Sequence, residues 1–190
     1  MVATIDEGET GKGPSEIEKV KARYFESLSD LNQQDIDSLD AFFKFTVVRN
    51  PIARVRSAYL DKIARSPARK AKYVRRKQGL SKNEPVSFDM FLDYLECGGI
   101  IENGHWSLQK DLLFFPVEQY EVIGKVENLQ ADLCLVFARI YGEDRELIKA
   151  NKHKINRNEL ILSSDQKKRI QKIYQEDFEL FGYPLSAGDD

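Results

Sequence analysis

The sequence predicts a helix-rich α/β domain built on a parallel sheet flanked by helices. Three observations predict it. Two runs, 42–48 and 120–124, are rich in β-branched and aromatic residues and too continuously apolar for surface strands. Each is followed within a few residues by a helix-start signal, and apolar residues at helical spacing fill much of the chain between. At 190 residues the chain is long enough for one domain with a full-sized core.

Taken in order, residues 1–14 are rich in Gly, Glu and Thr and read as a flexible arm. The rest, 15–185, reads as one domain. Ser15 with Glu18 forms a capping box, and Ile17, Val20, Tyr24 and Leu28 continue an amphipathic helix. A second short helix is expected over Gln34–Ala41. The first strand follows, then Asn50-Pro51, a capping residue with a proline at the first helical position. Ile52, Val55, Tyr59 and Ile63 supply that helix with a buried stripe. Residues 65–82 read as a basic insertion or loop. Ser87 caps a helix carrying Phe88, Phe91, Leu92 and Leu95, which Cys97-Gly98-Gly99 ends. A short helix is expected from His105-Trp106 through Leu113. After the second strand, Asn128 caps a helix through Tyr141, with Leu129, Leu133, Val136, Phe137 and Ile140 as its apolar face. Residues 149–158 read as a basic loop. Ser163 with Gln166 opens a final helix, which Gly182 terminates before Pro184.

Composition narrows the function. Hydrophobic residues make up 42% and charged residues 32%, and no run of eighteen apolar residues offers a membrane span. The first residues lack a basic segment followed by an apolar one, so no signal peptide is expected. The two cysteines, Cys97 and Cys134, make no disulfide framework and read as small buried hydrophobes, which points to a reducing, cytoplasmic setting. No cluster of His, Cys and acids has metal-ligand spacing, so no metal is expected. Net charge is −2, but eight basic residues and no acid lie between Arg65 and Lys82. Such a block attracts an anionic partner or forms a solvated loop. Only Tyr73 is interleaved in it, so a base-stacking nucleic-acid surface is not expected.

The strongest local signal is a strand, Val48-Arg49-Asn50-Pro51, and a helix containing Ser57. Arg49 falls at the carboxyl edge of a parallel sheet, where α/β folds bind ligands. Helix N-terminal amides favour an anion there, and a guanidinium adds a bidentate fork. By itself Arg49 reads as a surface ion pair, and Ser57 as an ordinary helical serine. His105 is a candidate acid/base group, since imidazole titrates near neutrality. It also fits a residue that orders its loop. Gln109, four residues on, would share its helical face and contact an acceptor or fix the ring's tautomer. Trp106 is read as a sugar-stacking platform or as core.

At this point a family comes into view. The segment from Phe45 to Lys62, FTVVRNPIARVRSAYLDK, resembles the 3′-phosphate-binding segment of carbohydrate sulfotransferases related to the chondroitin and dermatan sulfotransferases. Three further stretches resemble that family in order: His105–Gln109 (HWSLQ), Tyr120–Leu129 (YEVIGKVENL) and Ile173–Tyr183 (IYQEDFELFGY). The resemblance covers about residues 43–183.

The resemblance implies a fold similar to P-loop NTPases and transfer of a sulfuryl group from PAPS, 3′-phosphoadenosine 5′-phosphosulfate, to a carbohydrate hydroxyl. It implies PAP, the 3′,5′-bisphosphate, as product. Arg49 and Ser57 would hold the 3′-phosphate, and His105 would take the hydroxyl proton. Trp106, Gln109 and the basic-block residues Arg75 and Arg76 would face the acceptor. Lys154 and Arg157, near His153, would approach the donor phosphates through a looser match. The family opens with a strand and a Lys/Ser/Thr loop around the 5′-phosphosulfate, and this sequence does not show it intact. Residues 8–13, GETGKG, fail as such a loop: the glycine spacing is wrong and Gly13 stands where Ser or Thr belongs. The first strand and its loop are therefore expected to be missing here, lying before Met1 or lost. In the second case the protein would bind a nucleotide or glycan without turnover. Family members of the vertebrate Golgi carry cysteines after His-Trp; Leu112 and Leu113 stand there instead, which implies a bacterial-type cytoplasmic protein.

Overall fold

The computed structural model describes residues 41–64, 70–81, 84–142 and 160–185, together with Ser38. The arm, the 15–28 helix, most of the 34–41 helix and the 149–158 loop lie outside them. The account below concerns the compact unit that starts at Lys44.

Two strands run parallel: β1, Phe45–Val48, and β2, Val122–Lys125. Phe45 pairs with Val122 and Val48 with Lys125. The parallel pairing agrees with the sequence reading, but burial is lighter than expected. Only Val48 of β1 and Gly124 of β2 are buried, and Phe45 is 43% exposed. Among the described residues the sheet has these two strands alone.

Helix α1, Pro51–Ala58, leaves β1 after a two-residue turn. Asn50 Oδ1 accepts from the amides of Ile52 (2.9 Å) and Ala53 (3.3 Å), satisfying two orphan donors of a first turn in which Pro51 has no N–H to satisfy. The helix then widens into a π-helical segment, Tyr59–Ala64. Val55, Ala58, Tyr59 and Ile63 form the buried stripe, while Ile52 is only half-buried.

Part of the basic block is a helix rather than a loop. Helix α2, Lys70–Lys77, buries Ala71 and Val74 completely and leaves Lys72, Tyr73, Arg76 and Lys77 exposed. Two apolar residues three apart among the cations give it a face to pack. Helix α3, Phe88–Glu96, is capped by Ser87, whose Oγ accepts from the Met90 amide. It supplies Phe91, Leu92, Tyr94 and Leu95 to the core.

The core's aromatic centre explains the glycine after α3. Trp106 meets Phe91 edge-on at 5.4 Å and Tyr94 at 6.2 Å. A Cβ on Gly99 would lie 2.4 Å from the Tyr94 ring, so only glycine fits. Cys97, at the end of α3, is exposed and Cys134 half-buried; neither is the buried hydrophobe expected.

Helix α4, Leu129–Tyr141, follows β2, but Asn128 makes no side-chain cap. Of its expected apolar face only Val136 is buried, and Leu135 is 65% exposed. The last helix of the sequence reading is two. Helix α5, Ser164–Ile173, opens with the expected Ser163–Gln166 capping box, and α6, Gln175–Leu180, follows a break at Tyr174. Gly182, at φ +62°, ends it in the left-handed region that favours glycine. No described helix is long and apolar enough to cross a membrane.

Candidate functional site

β1 with Arg49 at its carboxyl end, the later part of α1 with the π-helical segment after it, and the 104–113 stretch enclose a cleft of about 460 Å³. Arg49, Arg54, Ser57, Asp61, Lys62, His105 and Gln109 line it, with Val48, Leu112 and Leu113 among its apolar walls. Arg49 and Ser57 from one stretch of the sequence and His105 from another thus share one cavity.

The β1 side of the cleft is held by short-range geometry. The strand delivers Arg49 to the sheet edge, and the Asn50 cap with Pro51 starts α1 at once. Ser57 sits two turns on, half-buried and facing the same space. From behind, Glu127 secures the turn. One of its oxygens accepts from the Asn50 amide at 2.9 Å and the other from the Tyr183 hydroxyl at 3.0 Å.

The opposite wall is a turn, not the helix expected over 105–113; a single 3₁₀ turn, Lys110–Leu112, is all the regular structure there. Asn103 starts it, its Oδ1 taking the His105 amide and its carbonyl taking the amides of Trp106 and Ser107. Long-range contacts fix the rest. Arg54 donates to the carbonyls of Ser107 (2.5 Å) and Gly104 (2.8 Å), and the Tyr174 hydroxyl donates to the Trp106 carbonyl. Asp177, fully buried, accepts from the amides of Gln109 (2.8 Å) and Lys110 (3.1 Å). The result presents His105 exposed at the mouth of the cleft.

Several expected roles change. Trp106 is 2% exposed and its indole N–H donates to the Gly99 carbonyl at 3.0 Å. It is core and offers no face to a sugar. Gln109 is 7% exposed and does not share a helical face with His105; its amide exchanges two hydrogen bonds with the Arg49 backbone. Arg75 is 7% exposed, with Nε donating to the Glu84 carbonyl at 2.7 Å, so it braces α2 instead of meeting an acceptor. Arg76 is exposed, 5.6 Å from the centre of the Tyr73 ring. Lys154 and Arg157 lie outside the described residues.

The sequence reading passed over Arg54 and Asp177. Both carried a signal. Arg54 stands three residues after Pro51 and four before Ala58, beside the buried stripe of α1. Asp177 stands on the stripe that Ile170, Tyr174 and Phe181 define, where an acid needs buried partners. Burial pulls the Arg54 guanidinium below its ordinary value; Tyr174 and Asp177 oppose that pull and Arg49 adds to it. Arg49 and Arg54 thus bring two cations to the lining of the same cleft. Among the described residues no group of His, Cys, Asp and Glu could hold a metal ion.

The protein is a helix-rich α/β protein with cations lining a cleft at the carboxyl edge of its parallel strand pair. Residues 9–184 match the sequence model of the sulfotransferase family, and the chain belongs to that family. It is 31% identical over 178 residues to carbohydrate sulfotransferase 14 of Danio rerio, covering 83% of this chain and 48% of that protein. It is 28% identical to carbohydrate sulfotransferase 10 of Danio rerio, covering 84% and 52%. It is 26% identical to carbohydrate sulfotransferase 11 of Rattus norvegicus, covering 90% and 56%. The chain thus spans about half the length of the curated relatives it matches. These relatives are vertebrate proteins and lend no support to a bacterial-type origin. No solved structure matches the chain.

Proposed function

We propose that this chain anchors the 3′-phosphate of PAPS and presents a carbohydrate hydroxyl to its sulfuryl group. One observation carries the reading: Arg49, Ser57 and His105 line a single cleft at the carboxyl end of β1. Family membership and the relatives' names support sulfuryl transfer and a sugar acceptor. The wider fold, on this reading, is the P-loop-like sheet of sulfotransferases.

Arg49 forks onto the 3′-phosphate and the Ser57 hydroxyl donates to it. The charge on Arg54 strengthens the site while its hydrogens hold the opposite wall. The acceptor oxygen attacks sulfur in line as the bond from sulfur to the bridging phosphate oxygen breaks. That oxygen keeps the electron pair, and His105 takes the hydroxyl proton. A sulfate ester and PAP result. Fixed positive groups at the 3′-phosphate hold the donor in place while charge shifts onto the departing 5′-phosphate. The exposed cations of α2, Arg76 among them, suit an anionic polysaccharide.

Calorimetry with PAP tests the site. Arg49→Ala is expected to weaken binding by about 10- to 100-fold, the loss of a hydrogen-bonded charge. Equal affinity of variant and wild type would remove the donor site. Transfer of labelled sulfate from PAPS to a panel of polysaccharides then separates turnover from binding alone. The competing reading, a nucleotide- or glycan-binding protein, rests on the 8–13 stretch, which lacks phosphosulfate-loop spacing. PAP binding without transfer would favour it.

A further inference from the structure

The geometry points to Asp177 and Gln109 as a positioning pair that sets the Arg49 guanidinium by fixing its peptide. The inference rests on the donor-site reading above and deepens it.

The β1–β2 ladder ends at Val48 paired with Lys125, one residue short of Arg49. The Gln109 side chain takes over where the ladder stops. Its Oε1 accepts from the Arg49 amide at 2.8 Å and its Nε2 donates to the Arg49 carbonyl at 2.8 Å. A two-way exchange of this kind is what an adjacent strand residue would provide. It orients the peptide units on both sides of the Arg49 Cα, and so the direction in which the guanidinium leaves the sheet edge.

The exchange works with only one orientation of the amide. Asp177 selects it. Its carboxylate is fully buried on α6 and accepts from the Gln109 amide at 2.8 Å, the Lys110 amide at 3.1 Å and Gln109 Nε2 at 3.5 Å. An ionised carboxylate only accepts. It therefore turns Nε2 toward itself and the Arg49 carbonyl, and leaves Oε1 for the Arg49 amide. A flipped amide would set oxygen against two oxygens. The same carboxylate pins the backbone four residues beyond His105. One acid on the C-terminal helix thus places both the donor-side arginine and the acceptor-side loop.

The test measures 3′-phosphate discrimination: the ratio of calorimetric affinities for PAP and for adenosine 5′-monophosphate, with melting temperature alongside. The full chain is compared with Gln109→Met, Asp177→Asn and the control Ile170→Val. Ile170 is a buried core residue with no hydrogen bond to this network. Gln109→Met keeps the length and removes both bonds to Arg49. Asp177→Asn lets an amide donor face amide donors. Both are expected to lower the ratio about tenfold, the worth of one to two hydrogen bonds. Ile170→Val should lower the melting temperature and leave the ratio unchanged. A folded Gln109→Met with the wild-type ratio overturns the positioning role, and so does an equal fall in Ile170→Val. If Asp177→Asn fails to fold, Gln109→Met decides alone. A wild-type ratio near one overturns the donor-site reading itself, a result distinct from the other two.

Discussion

The turn after β1 and the 103–110 loop face each other across one cleft, yet they are held in opposite ways. The turn takes its helix start from its own neighbours, while Gln109 and Glu127 hold the Arg49 and Asn50 backbone. Asn50 caps the helix two and three residues ahead, and Pro51 starts it. The loop begins with a local turn at Asn103, but is then fastened by groups 50 to 68 residues away, Arg54, Tyr174 and Asp177. A wall made locally tolerates loosening elsewhere in the molecule. A wall made by distant groups depends on the whole core being packed. The start of α1 is therefore the sturdier part of this site, and the side carrying His105 the more conditional, with Arg49 tied to that side through Gln109.

Trp106→Ala puts the largest strain on that contrast. Emptying the fully buried indole site is expected to cost about 3–5 kcal/mol. Urea unfolding measures the cost. Hydrogen exchange should show the amides of 105–110 losing protection before those of α1 do. If α1 opened first, the contrast would be reversed.

Arg54→Met removes the two bonds to the Gly104 and Ser107 carbonyls and keeps much of the packing volume. A loss of about 1.5–3 kcal/mol is expected, as for hydrogen bonds from a charged group. The same variant should raise the acceptor KM more than the donor KM, since it frees Gly104 and Ser107 beside His105 while Gln109, held by Asp177, still fixes the Arg49 peptide. Equal changes in both would show that Arg54 serves the donor phosphate first.

Alkaline pH attacks the same wall by another route. Burial lifts the Tyr174 phenol above its ordinary value of about 10, with Arg54 opposing the rise and Asp177 adding to it. A phenol raised on folding contributes stability that is complete below the unfolded value and is lost as pH climbs toward the folded one. Unfolding free energy should thus fall above about pH 10, by up to about 1.4 kcal/mol per pH unit for this one group. In Tyr174→Phe the fall should be shallower. Burial raises Tyr94 and Tyr183 in the same direction, helped by Glu102 and Glu127 respectively, so a residual slope is expected. An unchanged slope would exclude Tyr174 as a source.

Asn50→Ala is the mildest probe and addresses the local wall. Loss of the cap should cost about 1 kcal/mol and leave the 103–110 amides as protected as before. A cost above that of Trp106→Ala would sink the comparison.

Local signals in the chain were sufficient for much of this architecture. Asn50-Pro51, Ser87 and Ser163 with Gln166 mark helix starts where the structure has them, because a cap is a contract between residues two or three apart. The two apolar runs pair in parallel as their composition suggests. The cation at the end of β1 was legible for the same reason: strand, edge and helix start follow one another directly. Three-dimensional packing alone decided the remainder. His105 and Gln109 have helical spacing, but Asn103 gathers the nearby amides into a turn, and the two side chains take different tasks. An indole reads alike in sequence whether it will stack on a ligand or fill a core; Phe91, Tyr94 and Gly99 settle that it fills the core. Arg54 and Asp177 gained their meaning from partners 50 and 53 residues away in one case and 67 and 68 in the other. Periodicity and capping report contacts within a turn or two of helix, and a bond that closes across the fold leaves no local trace.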